Sequence, residues 1–207
     1  MNETWPLVHA ERAALAADLG GLSDPDWAVP SLCAGLSVRE VLAHLTAGAS
    51  LSMARWLVGV LRCRFDFDAM VAMRLREHLG SSPADTLDRF QRVVSSTTSP
   101  LPPIANLGEA VVHGEDIRRP LGLRRDYPPE VLTRLAAYYH GSDFVVEARS
   151  RVKGLRLAAT DTDFSAGEGP LVSGPTVALI MAMTGRAAFC DDLTGDGAAE
   201  LRARCPA

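Results

Sequence analysis

The sequence predicts an α+β protein, with a bundle of helices over residues 1–148 followed by a small α/β domain over residues 149–207. Three observations predict it. Apolar residues recur at helical spacing through most of the first part, in segments closed by Gly and Pro. After about residue 150 the pattern changes to short apolar runs bounded by Gly, Asp or Pro, the signature of short strands. Of the 207 residues, 47% are hydrophobic and 22% charged, a composition able to bury a real core.

The first helix is expected over residues 5–20, with Leu7, Val8, Leu15 and Leu19 at helical spacing and a Gly pair after it. A loop rich in turn residues, "SDPDWAVPSLCAG", follows. Ser37 and Glu40 then form a capping box, in which each side chain satisfies a free backbone amide at a helix start. The helix it opens is expected to run from 38 to about 61. Further helices are expected over 69–79 and, after Pro83, over 84–95. "TTSPLPPIAN" breaks the pattern, and a helix over 104–119 follows, ended by Pro120 and Gly122. "PPEVLTRLAAYYHGSDFVVEARS" completes the helical part. Beyond it, "GLRLAAT" and "GPLVSG" read as strands, "PTVALIMAMTGR" as a helix, and "DDLTGDGAAELRARC" as a turn with a short terminal helix.

The net charge of −4 argues against a nucleic-acid or anionic-membrane surface, because such binders neutralise phosphates with Lys and Arg. Arg118, Arg119, Arg124 and Arg125 fall close together; they read as a solvated helix end, where cations are favoured, with a contact to an anionic substrate as the sharper alternative. The four cysteines, Cys33, Cys63, Cys190 and Cys205, show no C-x-x-C spacing and fit free thiols in a reducing compartment. The N-terminus lacks the pattern of a signal peptide, and the longest aliphatic stretch, "TVALIMAM", is too short to span a bilayer. A cytoplasmic protein is expected, monomeric or homodimeric, with small-molecule partners, no nucleic acid and no membrane.

The chemistry lies in "GEAVVHGEDIRRPLG". Glu109 precedes His113 by one helical turn, so the two side chains are neighbours able to hold one small ion. Asp116 extends the stripe by another turn. Apolar residues occur on both sides of this helix, so part of the stripe is covered, and a covered carboxylate must be compensated. Two ligands are not a site, since catalytic zinc takes three from the protein and keeps a position open. His44 is the natural third, beside the apolar stripe of Val38, Val41, Leu45 and Ala49, with Gly48 leaving space one turn on. Each pattern alone is usually an exposed pair or a hydrogen-bonded core histidine. Two distant helices facing each other in a bundle raise the case for a metal.

At these residues the sequence resembles a known family. "W..PSLCAGLSVREVLAHL" (Trp27 to Leu45), "GEAVVHGEDIRRPLG" and "GLRLAATDTDFSAGEGPLVSG…TGR…LTGDG" look like the mycothiol-dependent maleylpyruvate isomerase family of actinobacteria, within the DinB-like metal-binding superfamily. Leu36 stands where relatives often carry Trp, a change of packing. The resemblance implies a DinB-like four-helix bundle with a small C-terminal α/β domain, and a divalent metal, usually zinc, on His44, Glu109 and His113. Asp116 is then a partner that orients His113. The resemblance further implies mycothiol as thiol cosubstrate, activated as metal thiolate for attack on a small electrophile, which makes the chain an isomerase or an S-transferase.

A dianionic substrate needs cations near the metal. Arg74, Arg76 and, above both, Arg186 in the C-terminal domain are the candidates for substrate binding. Cys33 reads as a small buried hydrophobe or a reactive thiol. Two other classes stay open. One is a non-catalytic, regulatory DinB-like module that keeps the metal. The other is a hydrolase using zinc-bound hydroxide, with Asp116 or Glu115 as base.

Overall fold

The computed structural model describes residues 3–206. Contacts divide the chain into two units, Met1–Arg124 and Arg125–Ala207. The first holds helices α1 (Thr4–Leu19), α2 (Val38–Ser50), α3 (Met53–Arg62), α4 (Phe67–His78), α5 (Pro83–Gln91) and α6 (Pro103–Arg118). Of these, α1, α2, α5 and α6 pack on one another as the four-helix bundle. Their shared core joins Leu15 and Leu19 of α1 to Val41 and Leu42 of α2, Phe90 of α5 and Ile117 of α6. Burying a side chain of this kind contributes about 1.5–3 kcal/mol, so this core is what closes the bundle.

Local signals set the helix ends. Ser37 accepts a hydrogen bond from the Glu40 amide while the Glu40 carboxylate accepts one from the Ser37 amide at 2.9 Å, so α2 starts where the capping box puts it. Pro102 and Pro103 start α6, where a missing amide hydrogen costs nothing. The helix expected from 38 to about 61 is instead two helices, α2 and α3. Its break falls at Leu51, where the backbone turns extended and Ser52 caps the next helix by accepting from the Arg55 amide.

The second unit holds α7 (Pro129–Gly141), the one-turn helix α8 (Ala148–Arg151), strands β1 (Arg156–Ala159), β2 (Ser165–Ala166) and β3 (Leu171–Gly174), then α9 (Thr176–Met183) and α10 (Ala198–Ala203). The sheet order is β2-β1-β3, with β1 antiparallel to β2 and parallel to β3. α9 is buried along nearly its whole length and packs against α7 and the sheet, which is why its sequence is almost wholly aliphatic. Among the described residues, no helix is long and apolar enough to cross a membrane.

Candidate functional site

His44 is on α2, and Glu109 and His113 are on α6. The Nε2 atoms of both histidines face the same carboxylate oxygen, Oε2 of Glu109, at 3.6 Å from His44 and 3.5 Å from His113. The imidazole rings meet edge to face, with centroids 4.9 Å apart. One donor atom from each residue lies within 4.8 Å of the others.

These separations are long for hydrogen bonds. They are right for something else: a tetrahedral ion with bonds of about 2.0–2.2 Å spaces its donors roughly 3.3–3.6 Å apart. The orientation agrees. His113 has its Nδ1 2.9 Å from Oδ2 of Asp116, whose side chain is fully buried, so Nε2 is the atom left to face Glu109. An imidazole lone pair and a carboxylate lone pair repel unless a cation or a proton lies between them. The three residues therefore fit a small divalent ion, by donor type, spacing and direction.

The electrostatics express the same need. Burial alone would raise the pKa of Glu109, yet the contacts and charges of His113 and then His44 outweigh it and hold the carboxyl well below its ordinary range. For His113, burial alone would lower the pKa. Contacts with Asp116, Cys33 and Glu109 override it and raise the imidazole well above its usual value. Cys33 reaches this cluster because its loop is tied to α6 by a hydrogen bond from the Leu32 amide to the Asp116 carbonyl, 3.0 Å. Cys33, His113 and Asp116 form a second convergent group that shares His113 with the first.

His44 and Glu109 line a cavity of about 170 Å³. Its wall is apolar, formed by Leu45, Trp56, Met70, Val71 and Leu101 among others, and Gly48 leaves it open along α2. Trp56 and Met70–Val71 come from α3 and α4. Arg12 of α1 lines the cavity too, although its exposure is only 4%. Its guanidinium donates to the Ser96 carbonyl at 2.9 Å and to Oδ1 of Asn106 at 3.3 Å, both neutral acceptors. Burial lowers the Arg12 pKa to about 10, with the charge of Glu109 acting against that shift.

Two of the cations expected from the sequence, Arg74 and Arg76, are set apart from this cavity. Arg74 is held by the Glu77 carboxylate and the Arg55 carbonyl, and neither it nor the exposed Arg76 lines the cavity. Arg186 is half-buried in the second unit and donates to the Thr184 carbonyl at 2.8 Å. Arg118, read from the sequence as part of a solvated helix end, is 1% exposed and donates to Asp18 of α1 at 2.8 Å. Arg12 was missed, though its signal is present: Val8, Arg12, Leu15 and Leu19 recur at helical spacing, so Arg12 falls inside the apolar stripe of α1.

Residues 8–103 match the family described as the mycothiol maleylpyruvate isomerase N-terminal domain. That segment includes His44 and ends before Glu109 and His113. Two solved structures have the same fold: the mycothiol-dependent maleylpyruvate isomerase, with a TM-score of 0.63, and a histidine-to-alanine mutant of it, with 0.64. Each is 16% identical to this chain, and each alignment covers 95% of this chain and 92% of the other. No curated protein matches the chain.

Proposed function

We propose that this chain, whose residues 8–103 match the mycothiol maleylpyruvate isomerase N-terminal domain family, is a thiol-dependent enzyme acting on a small electrophile, as isomerase or S-transferase. Mycothiol is its thiol cosubstrate, and a divalent ion, zinc, is its cofactor, held by His44, Glu109 and His113. One observation carries this reading: three donors of the His2Glu type converge within 4.8 Å of one another, and two of them, His44 and Glu109, line a cavity rather than a sealed core. An ion enclosed by four protein ligands would be structural. Three ligands beside a cavity leave a position for a small molecule.

A divalent ion bound there supplies the positive charge that favours a thiolate over a thiol at neutral pH. The chain's own residues do the rest. Asp116 fixes the ring of His113 through Nδ1, so that Nε2 stays directed at the site. His44 comes from the capped helix α2 and Glu109 from α6, so both donors stand on rigid elements. The apolar wall excludes water from the electrophile and strengthens every charge interaction inside the cavity.

The test is metal content after purification without chelator, on the wild type and on His44→Ala and His113→Ala, followed by titration with mycothiol. We expect about one equivalent of zinc, as a single three-ligand site requires, lost in both variants, with proton release on thiol binding. Absence of stoichiometric metal after zinc is added back would overturn the reading and leave a DinB-like scaffold with another use.

A further inference from the structure

We infer that Arg12 makes this cavity a subsite for an amphipathic monoanion, a ligand with one carboxylate set against the guanidinium and an apolar body against the remaining wall. The inference rests on reading the cavity as the substrate pocket, and it narrows the electrophile from any small molecule to one class.

Three observations converge on Arg12. It is buried, so its charge is poorly screened, and removing an unpaired cation from water costs several kcal/mol. Its hydrogen-bond partners, the Ser96 carbonyl and the Asn106 side chain, are both neutral, so the charge is held in place without being cancelled. Asn106 is itself fixed, donating to the Leu101 and Pro102 carbonyls at 3.1 and 3.2 Å, and it presents its oxygen to Arg12 as a consequence. The negative charge acting on Arg12 is that of Glu109. A divalent ion would claim that charge, leaving Arg12 as a positive group facing the cavity. A planar guanidinium in that position suits a carboxylate.

The count of cations sets the class. Arg12 is the only guanidinium or ammonium among the described residues lining the cavity. Leu45, Leu51, Trp56, Met70, Val71 and Leu101 supply most of the remaining wall, and the other polar side chains in it, Ser99 and Asn106, are neutral. With the open position of the ion taken by the thiol, a dianion would leave its second charge against hydrocarbon and neutral side chains, while a neutral apolar ligand would leave the Arg12 charge unmatched. One charge with an apolar tail satisfies both surfaces.

The experiment is calorimetric titration of the zinc-supplemented protein with three probes: cinnamate, methyl cinnamate and maleate. Wild type is compared with Arg12→Lys and Arg12→Met, and folding is monitored by far-ultraviolet circular dichroism. We expect cinnamate to bind at least tenfold more tightly than its ester and than maleate. Arg12→Met should erase the acid-over-ester preference, and Arg12→Lys should keep part of it. If Arg12→Met does not fold, the comparison of probes on wild type and Arg12→Lys still decides. Equal binding of acid and ester, or no binding of either, overturns the inference. So does a preference that survives Arg12→Met, because the carboxylate then sits on the metal. Maleate binding as well as cinnamate overturns the single-charge statement. None of these readouts uses the thiol or the uptake of zinc, so failure of the proposed enzyme function and failure of this inference are seen separately.

Discussion

Nδ1 of His113 lies 2.9 Å from Oδ2 of Asp116, three residues further along the same helix, and the carboxylate is shut away from solvent. That contact selects which nitrogen faces Glu109 and His44. Replacing Asp116 by Asn keeps the size and removes the charge. We expect Asp116→Asn to weaken zinc binding by roughly 10–100-fold, in line with other partners of metal-bound histidines, measured by competition with a chromogenic chelator. Unchanged affinity would remove Asp116 from the site.

Gly48 stands one turn after His44, and a Cβ placed there meets nothing within 4 Å. Helix propensity then predicts that Gly48→Ala raises stability by about 0.5–1 kcal/mol, read from urea denaturation. Gly48→Leu extends a side chain into the cavity that the glycine lines. Its expected signature is a stability no lower than wild type together with roughly tenfold weaker cinnamate binding, because the added side chain crowds the space a ligand would fill. Undiminished binding would show that the cavity is not where the ligand sits.

The Asp18–Arg118 pair joins α1 to α6 inside the bundle, with Arg118 1% exposed and Asp18 29%. Removing the acid takes away the shortest ion pair of a buried cation, whose Nη1 lies 3.9 Å from Glu115. Asp18→Ala should destabilise the protein by about 2–3 kcal/mol, below the full cost of a fully buried pair because Asp18 is partly solvated. Denaturant midpoints give the answer, and a change within about 0.5 kcal/mol, typical of surface substitutions, would contradict the placement.

Cys190 and Cys205 touch in the second unit. A hydrogen bond from Cys190 brings the Cys205 thiol down to about 7, while the Cys190 thiol is pushed far up by its bond to Cys205 and by burial. Alkylation proceeds through the thiolate, so Cys205 should react first with iodoacetamide near neutral pH, at a rate rising through about pH 7. In Cys190→Ala that rise should move up toward the ordinary thiol pKa of about 8.5. Peptide mass spectrometry follows each site, and an unmoved profile would mean that Cys190 does not control its neighbour.

Much of this was legible in the sequence where a local rule acts alone. The capping box of Ser37 and Glu40 fixed the start of α2, and the four-residue spacing of Glu109 and His113 put them on one side of α6. The break at Leu51 was not, because an apolar residue between two serines continues the helical pattern as well as it ends it. β2 is two residues long, too short to show any period, and it exists only by pairing with β1. The buried arginines were the larger gap. Arg12 and Arg118 read as surface residues by type, and only the position of Arg12 within an apolar stripe marked it. What holds each in place, the Asn106 side chain or Asp18, comes from a different helix, a pairing that periodicity cannot reveal.

The three donors stand on α2 and α6, whereas Trp56, Met70 and Val71 reach the cavity from α3 and α4. Part of the cavity wall is thus built by helices that supply none of the three donors. Mutations in α3 and α4 can drift, reshaping that stretch of wall, while His44, Glu109 and His113 stay untouched. A lineage built this way can vary what the cavity admits without a change at any donor.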